Sequence, residues 1–214
     1  MPCNFCKKRL TEVFNIRFYV LLFSILLSVF IYFYITSTTS ESSLQIIKLT
    51  QTYALAAITY LYLTLLASPL TKIFTFLPFR GQYIKARRAL GVSTFYFGLL
   101  HGLFAFFGEL GGFTSLANLP PKYLLAISLS FTALVILTLM ASTAFDFMID
   151  KLGFAKWKML HRLVYLAAVF IIIHALLLGS HFQNLSGIIP KIFLIALAIL
   201  LILESIRIYQ YFRK

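Results

Sequence analysis

Charge is scarce in this sequence, and acidic charge scarcest. Only 6 of 214 residues are Asp or Glu, and 12% are charged in all. A soluble domain carries about a quarter charged residues, so these side chains cannot cover a water-facing surface. The carboxylates nearest the apolar stretches, Glu109, Asp146, Asp150 and Glu204, all fall near predicted helix ends. An ion- or proton-coupled transporter therefore lacks its midplane acid. Cysteine is nearly absent too. Cys3 and Cys6 are the only two, which excludes a disulfide framework, and one C-x-x-C pair supplies half a zinc site. They are read as incidental thiols in a cytosolic tail.

What fills the space is apolar: 61% of residues are hydrophobic and the mean hydropathy is +0.92. Crossing a ~30 Å hydrocarbon core takes about 20 helical residues. Runs of that length recur at 17–36, 46–68, 90–108, 122–145, 160–179 and 189–208. The expected fold is an all-α integral membrane protein, one six-helix transmembrane bundle over 17–210. A basic tail over 1–16 and a short tail over 211–214 flank it, and no soluble catalytic domain has room beside it. The first run is long, aromatic and without a small-residue cleavage site, so it reads as a retained helix and not a signal peptide.

The net charge of +13 is explained by placement. Sixteen of the 19 Lys and Arg fall on alternate connections, leaving Lys48, Lys122 and Lys191 for the others. That asymmetry orients helices at insertion and predicts a membrane protein with both termini cytoplasmic. It also favours anionic lipid, and no nucleic-acid partner is needed. The outer loops are 37–45, 108–121 and 180–189. The stretch 69–89, with Pro69, Pro78 and Gly81, reads as a long interfacial inner loop. Trp157 reads as a boundary anchor.

Histidine is also rare, with four in all, and two sit where water cannot reach. An ionisable residue inside a span is a functional candidate by default. His101 lies 11 residues past Leu90 and His174 lies 14 past Leu160, depths of roughly 17 and 21 Å. Both helices run outward, so the two imidazoles stand nearly level, as two axial ligands of one haem iron must. A neutral imidazole offers iron a lone pair without burying charge. Gly98 and Gly102 bracket His101, letting a flat macrocycle or another helix approach. The alternative is that each histidine bonds a neighbouring helix and the glycines merely pack.

His161 stands apart. It precedes His174 by 13 residues, about 20 Å along the axis and ~140° around it, so the two cannot share an iron. At its level the third helix offers Arg87 and Arg88 but no histidine. A five-coordinate haem, a flavin, a quinone or proton handling all suit that position, with Arg88, Arg162 and Lys158 as partners for anionic groups. His181, in an outer loop, reads as an ordinary polar residue.

These residues also carry a pattern. Thr64–Leu65–Leu66–Ala67–Ser68–Pro69–Leu70, then Arg87–Arg88–Ala89–Leu90–Gly91 and Leu100–His101, resemble a run of the ferric-reductase-like transmembrane family. So do Leu152–Gly153, Trp157, Leu160–His161–Arg162–Leu163–Val164–Tyr165–Leu166 and His174. The resemblance covers about residues 44–203. It is strongest to the branch supplying the haem-binding membrane subunit of periplasmic methionine sulfoxide reductases. It implies a haem b cytochrome passing electrons from a cytoplasmic flavin reductase or the quinone pool to a periplasmic molybdenum reductase of oxidised methionine. The implied haem histidines are His101, His161 and His174, and FMN is a further implied cofactor. A stand-alone ferric or quinone reductase is the alternative within the family. NADPH oxidases share the core but carry a second histidine on helix three. Ser115 stands at that spacing here, and a fused FAD/NADPH domain is not expected.

Overall fold

The structure, a computed structural model, describes residues 16–116, 118–179, 182 and 187–213. The N-terminal tail with Cys3 and Cys6, and His181 of the outer loop, lie outside those residues. Among the described residues six helices are long and apolar enough to cross a membrane. They are Ile16–Thr38, Ser42–Ile73, Arg80–Glu109, Pro121–Ser142, Phe154–Leu178 and Ile188–Phe212, called here the first to sixth spans. Short helices Phe113–Leu116 and Asp146–Leu152 lie between spans. The chain is thus a multi-pass membrane protein, as its apolar runs require. Large side chains such as Phe30 (64% exposed), Phe33 (65%) and Ile195 (61%) point away from the protein. An aqueous surface would not tolerate this, whereas lipid solvates it.

The helices outrun the apolar stretches at the basic end. The second continues through the buried Pro69 to Ile73, and the third begins at Arg80. Of the expected inner loop 69–89, only 74–79 is non-helical. In apolar surroundings each freed backbone group costs several kcal/mol, so a helix carries one proline more readily than it stops. Glu204 is likewise not at a helix end but inside the sixth span, ion-paired with Arg207 at 2.6 Å and accepting from the Tyr165 hydroxyl at 3.1 Å. Gly153 joins the helix Asp146–Leu152 to the fifth span at φ +78°, a conformation that costs a side chain.

The first three spans pack together, as do the fourth and fifth, and the second–sixth and third–fourth contacts join the two groups. Polar side chains stitch the first group. The Ser24 hydroxyl bonds both Tyr60 and Ser93, and Ser28 bonds Tyr96. Interhelical hydroxyl bonds of this kind hold spans together where lipid removes the hydrophobic drive. Tyr60, Phe97, Tyr53 and Phe104 form an aromatic ladder beside them.

Candidate functional site

The third and fifth spans bring His101 and His174 together, with ring centres 6.1 Å apart and planes inclined at 75°. Each ring is held from behind. His101 Nδ1 lies 3.0 Å from the Thr50 carbonyl oxygen of the second span, and His174 Nδ1 lies 2.9 Å from the Ala126 carbonyl oxygen of the fourth. A carbonyl can only accept, so Nδ1 carries the proton and donates. In a neutral imidazole that leaves the lone pair on Nε2. A backbone partner behind a ligating histidine is the usual device for fixing its tautomer and raising its basicity.

The spacing can be tested against an iron. Two metal–nitrogen bonds of ~2 Å, with ~1 Å more from each nitrogen to its ring centre, ask for about 6 Å between centres. The observed 6.1 Å fits. Among the described residues no three His, Cys, Asp or Glu side chains gather as a metal cluster. A two-imidazole donor set suits a macrocycle that brings its own four nitrogens. Gly98 and Gly102 both face Leu134 of the fourth span, where an added Cβ would lie 3.9 Å from its methyl groups. That is ordinary contact, so an alanine would fit against Leu134 at either position.

The basic end holds a second feature, a cavity of about 880 Å³. Among the described residues eight cations line it, Arg17, Lys72, Lys85, Arg87, Arg88, Lys158, Arg162 and Arg207, together with His161, Trp157 and Tyr165, and no described acidic residue does. Neither His101 nor His174 lines it. It reaches Thr94, seven residues short of His101, or about 10 Å along the helix. His161 is engaged at Nε2 by the Thr143 hydroxyl at 3.3 Å, and its ring stands 4.2 Å from that of Trp157. The Trp157 indole N–H donates to the Thr143 carbonyl at 2.9 Å.

Outside the cavity wall, Asp146 ion-pairs with both Arg88 and Arg17, the latter at 3.1 Å. The bond from Arg88 is the main cause that holds the Asp146 carboxyl below the ordinary carboxylate range, and Arg17 adds to it. Arg88 also sits over Trp157, 5.0 Å from its ring centre.

The sequence pattern thus names the residues at both places but not their partners. Thr50 and Ala126 act through backbone carbonyls, which carry no residue signature. Trp157 does carry one. It precedes His161 by four positions, so the two share a helix face. Ser115 lies in the short helix beyond the third span.

Comparison with known proteins follows the same residues. The family model described as ferric reductase like transmembrane component matches residues 52–172, a stretch that contains His101 and His161 and stops two residues before His174. Among curated proteins the chain is similar to the protein-methionine-sulfoxide reductase heme-binding subunit MsrQ of Azospira oryzae. The two are 30% identical over 164 residues, 75% of this chain and 67% of that protein. The subunit of the same name from Ralstonia nicotianae is 34% identical over 98 residues, 42% of each chain. That from Herminiimonas arsenicoxydans is 31% identical over 116 residues, 54% of this chain and 51% of that one. The chain spans between 42% and 67% of these relatives' length. With more than half of its residues inside the matched core, the chain belongs to the ferric-reductase-like transmembrane family.

Proposed function

We propose that this protein is a haem b membrane subunit that conducts electrons from a cytoplasmic donor to an acceptor on the outer side of a bacterial inner membrane. The basic end, and with it both termini, faces the cytoplasm, as the distribution of Lys and Arg favours. The acceptor is a periplasmic molybdenum reductase of oxidised methionine; the names of the curated relatives support the methionine sulfoxide part of that reading. When bound, haem supplies one-electron chemistry at its iron.

His101 and His174 would hold it, each through Nε2. The single observation that carries this reading is their 6.1 Å ring separation with both Nδ1 atoms committed to backbone carbonyls. Thr50 and Ala126 fix the ring orientation and raise the electron density of each imidazole. His161 takes no part in that pair. It stands with Arg88 and Arg162 in the basic cavity, where electrons enter. Of the eight cations, Arg17 and Arg88 pair with Asp146 and Arg207 with Glu204. The excess of positive charge that is left favours an anionic donor, so FMN, free or carried by a flavin reductase, fits better than neutral quinol.

A pyridine haemochrome assay with flavin and metal quantitation, on protein expressed with ample haem, tests the reading. Haem b in stoichiometric amount is expected, together with FMN retained at low salt. Colourless protein contradicts the reading outright. Haem without flavin affinity, but with reduction by quinol, moves the donor to the quinone pool.

A further inference from the structure

The third span does not stay α-helical to its outer end. Beyond Leu103 it widens into a π-helical turn over Phe104–Glu109, with Leu110 N–H donating to Ala105 O at 2.9 Å. Single π turns cluster at functional sites because they shift side-chain register without ending the helix. Within this turn Gly108 meets the second span. A Cβ built at Gly108 would lie 2.5 Å from Ile46 Cγ2, closer than real atoms come. Ile46 is β-branched, and in a helix its χ1 has one strongly preferred rotamer, so that methyl cannot swing aside freely.

The second span runs directly from this contact to the histidine. One turn inward from Ile46 stands Thr50, whose hydroxyl donates back to the Ile46 carbonyl at 2.9 Å. The Thr50 carbonyl is the acceptor for His101 Nδ1–H. In an antiparallel pair, moving outward from His101 to Gly108 on one helix, about 10 Å, runs the same way as moving from Thr50 to Ile46 on the other, about 6 Å. The glycine contact and the histidine hydrogen bond are therefore two rungs of one helix–helix interface.

We infer that Gly108 is a positioning residue for His101. Its missing side chain sets the approach of the second span, and that approach sets the hydrogen bond from His101 to Thr50. The inference rests on the axial-ligand reading above. A longer hydrogen bond leaves the imidazole a poorer electron donor, which destabilises oxidised iron relative to reduced.

Gly108→Ala should therefore keep its haem while the midpoint potential rises and the low-spin electron paramagnetic resonance signal shifts from that of the parent. Ile46→Ala removes the opposing methyl. In the double variant Gly108→Ala/Ile46→Ala, both readouts should return to parental values, a rescue that general loss of stability would not produce. If Gly108→Ala alone fails to accumulate, the double variant decides: parental values support the inference, and altered or absent haem overturns it. A single variant indistinguishable from the parent, or a double variant without rescue, overturns the inference and leaves the haem reading intact. A parent protein without low-spin haem overturns both.

Discussion

The two places where histidine meets this bundle are built on opposite principles. At the His101–His174 pair each imidazole is anchored by a neutral backbone carbonyl from a neighbouring span. At His161, twenty or so ångströms away along the helix, the surroundings are a cavity lined by eight cations, with a tryptophan and a hydroxyl as the ring's partners. The first arrangement suits a group held permanently in a fixed tautomer. The second suits a charged visitor. A membrane protein can place a neutral ligand pair deep in lipid at little cost, but it must keep its charge where water reaches. The difference between the two sites follows from depth before it follows from chemistry.

The comparison can be broken most easily by substitution at the deep pair. His101→Ala or His174→Ala should abolish low-spin haem, read as loss of the sharp reduced alpha band, whereas His161→Ala should retain it. Equal loss from all three would erase the distinction. The next largest effect belongs to the cavity. Arg162→Gln should leave haem content unchanged and lower the second-order rate of reduction by reduced FMN roughly tenfold at low salt, with a smaller deficit at high salt. A rate that is unchanged at every ionic strength would deny the cavity its role in donor binding.

Smaller still is the effect of Trp157→Phe, which strands the Thr143 carbonyl without its indole donor. A loss of about 1 kcal/mol is expected, measured as a lower thermal midpoint in detergent with the haem spectrum intact. The smallest belongs to Asp146→Asn. Its carboxyl is mostly exposed, with 71% of its side-chain surface open, and exposed ion pairs contribute under about 1 kcal/mol. The folded carboxyl titrates below its ordinary range. The clasp it forms with Arg88 and Arg17 is therefore present above that range and is lost as pH falls through the depressed value. The parent should show this acid-side decline in stability and Asp146→Asn should not.

Much of the fold is legible from length and hydropathy alone, because lipid permits few alternatives to a helix of about 20 apolar residues. All six spans follow from it. The ends do not, because Pro69 reads as a breaker only if water is available to satisfy what it breaks. The level match of His101 and His174 is legible by counting along two helices of the same direction. Their orienting partners are not, since the Thr50 and Ala126 carbonyls belong to the backbone and any residue would supply them. Asp146 pairs with Arg17 and Arg88 across 129 and 58 positions of sequence, a distance at which no local pattern operates. Trp157 is the intermediate case: its position suggested a membrane anchor, while its spacing from His161 already held the ring contact.

The most direct measurement of the shared-iron account is low-temperature electron paramagnetic resonance of the oxidised, haem-replete protein. Two imidazoles inclined at 75° on one iron predict a highly anisotropic low-spin signal, lost together in His101→Ala and His174→Ala. A high-spin signal in the parent, or a low-spin signal that survives removal of either histidine, would contradict it.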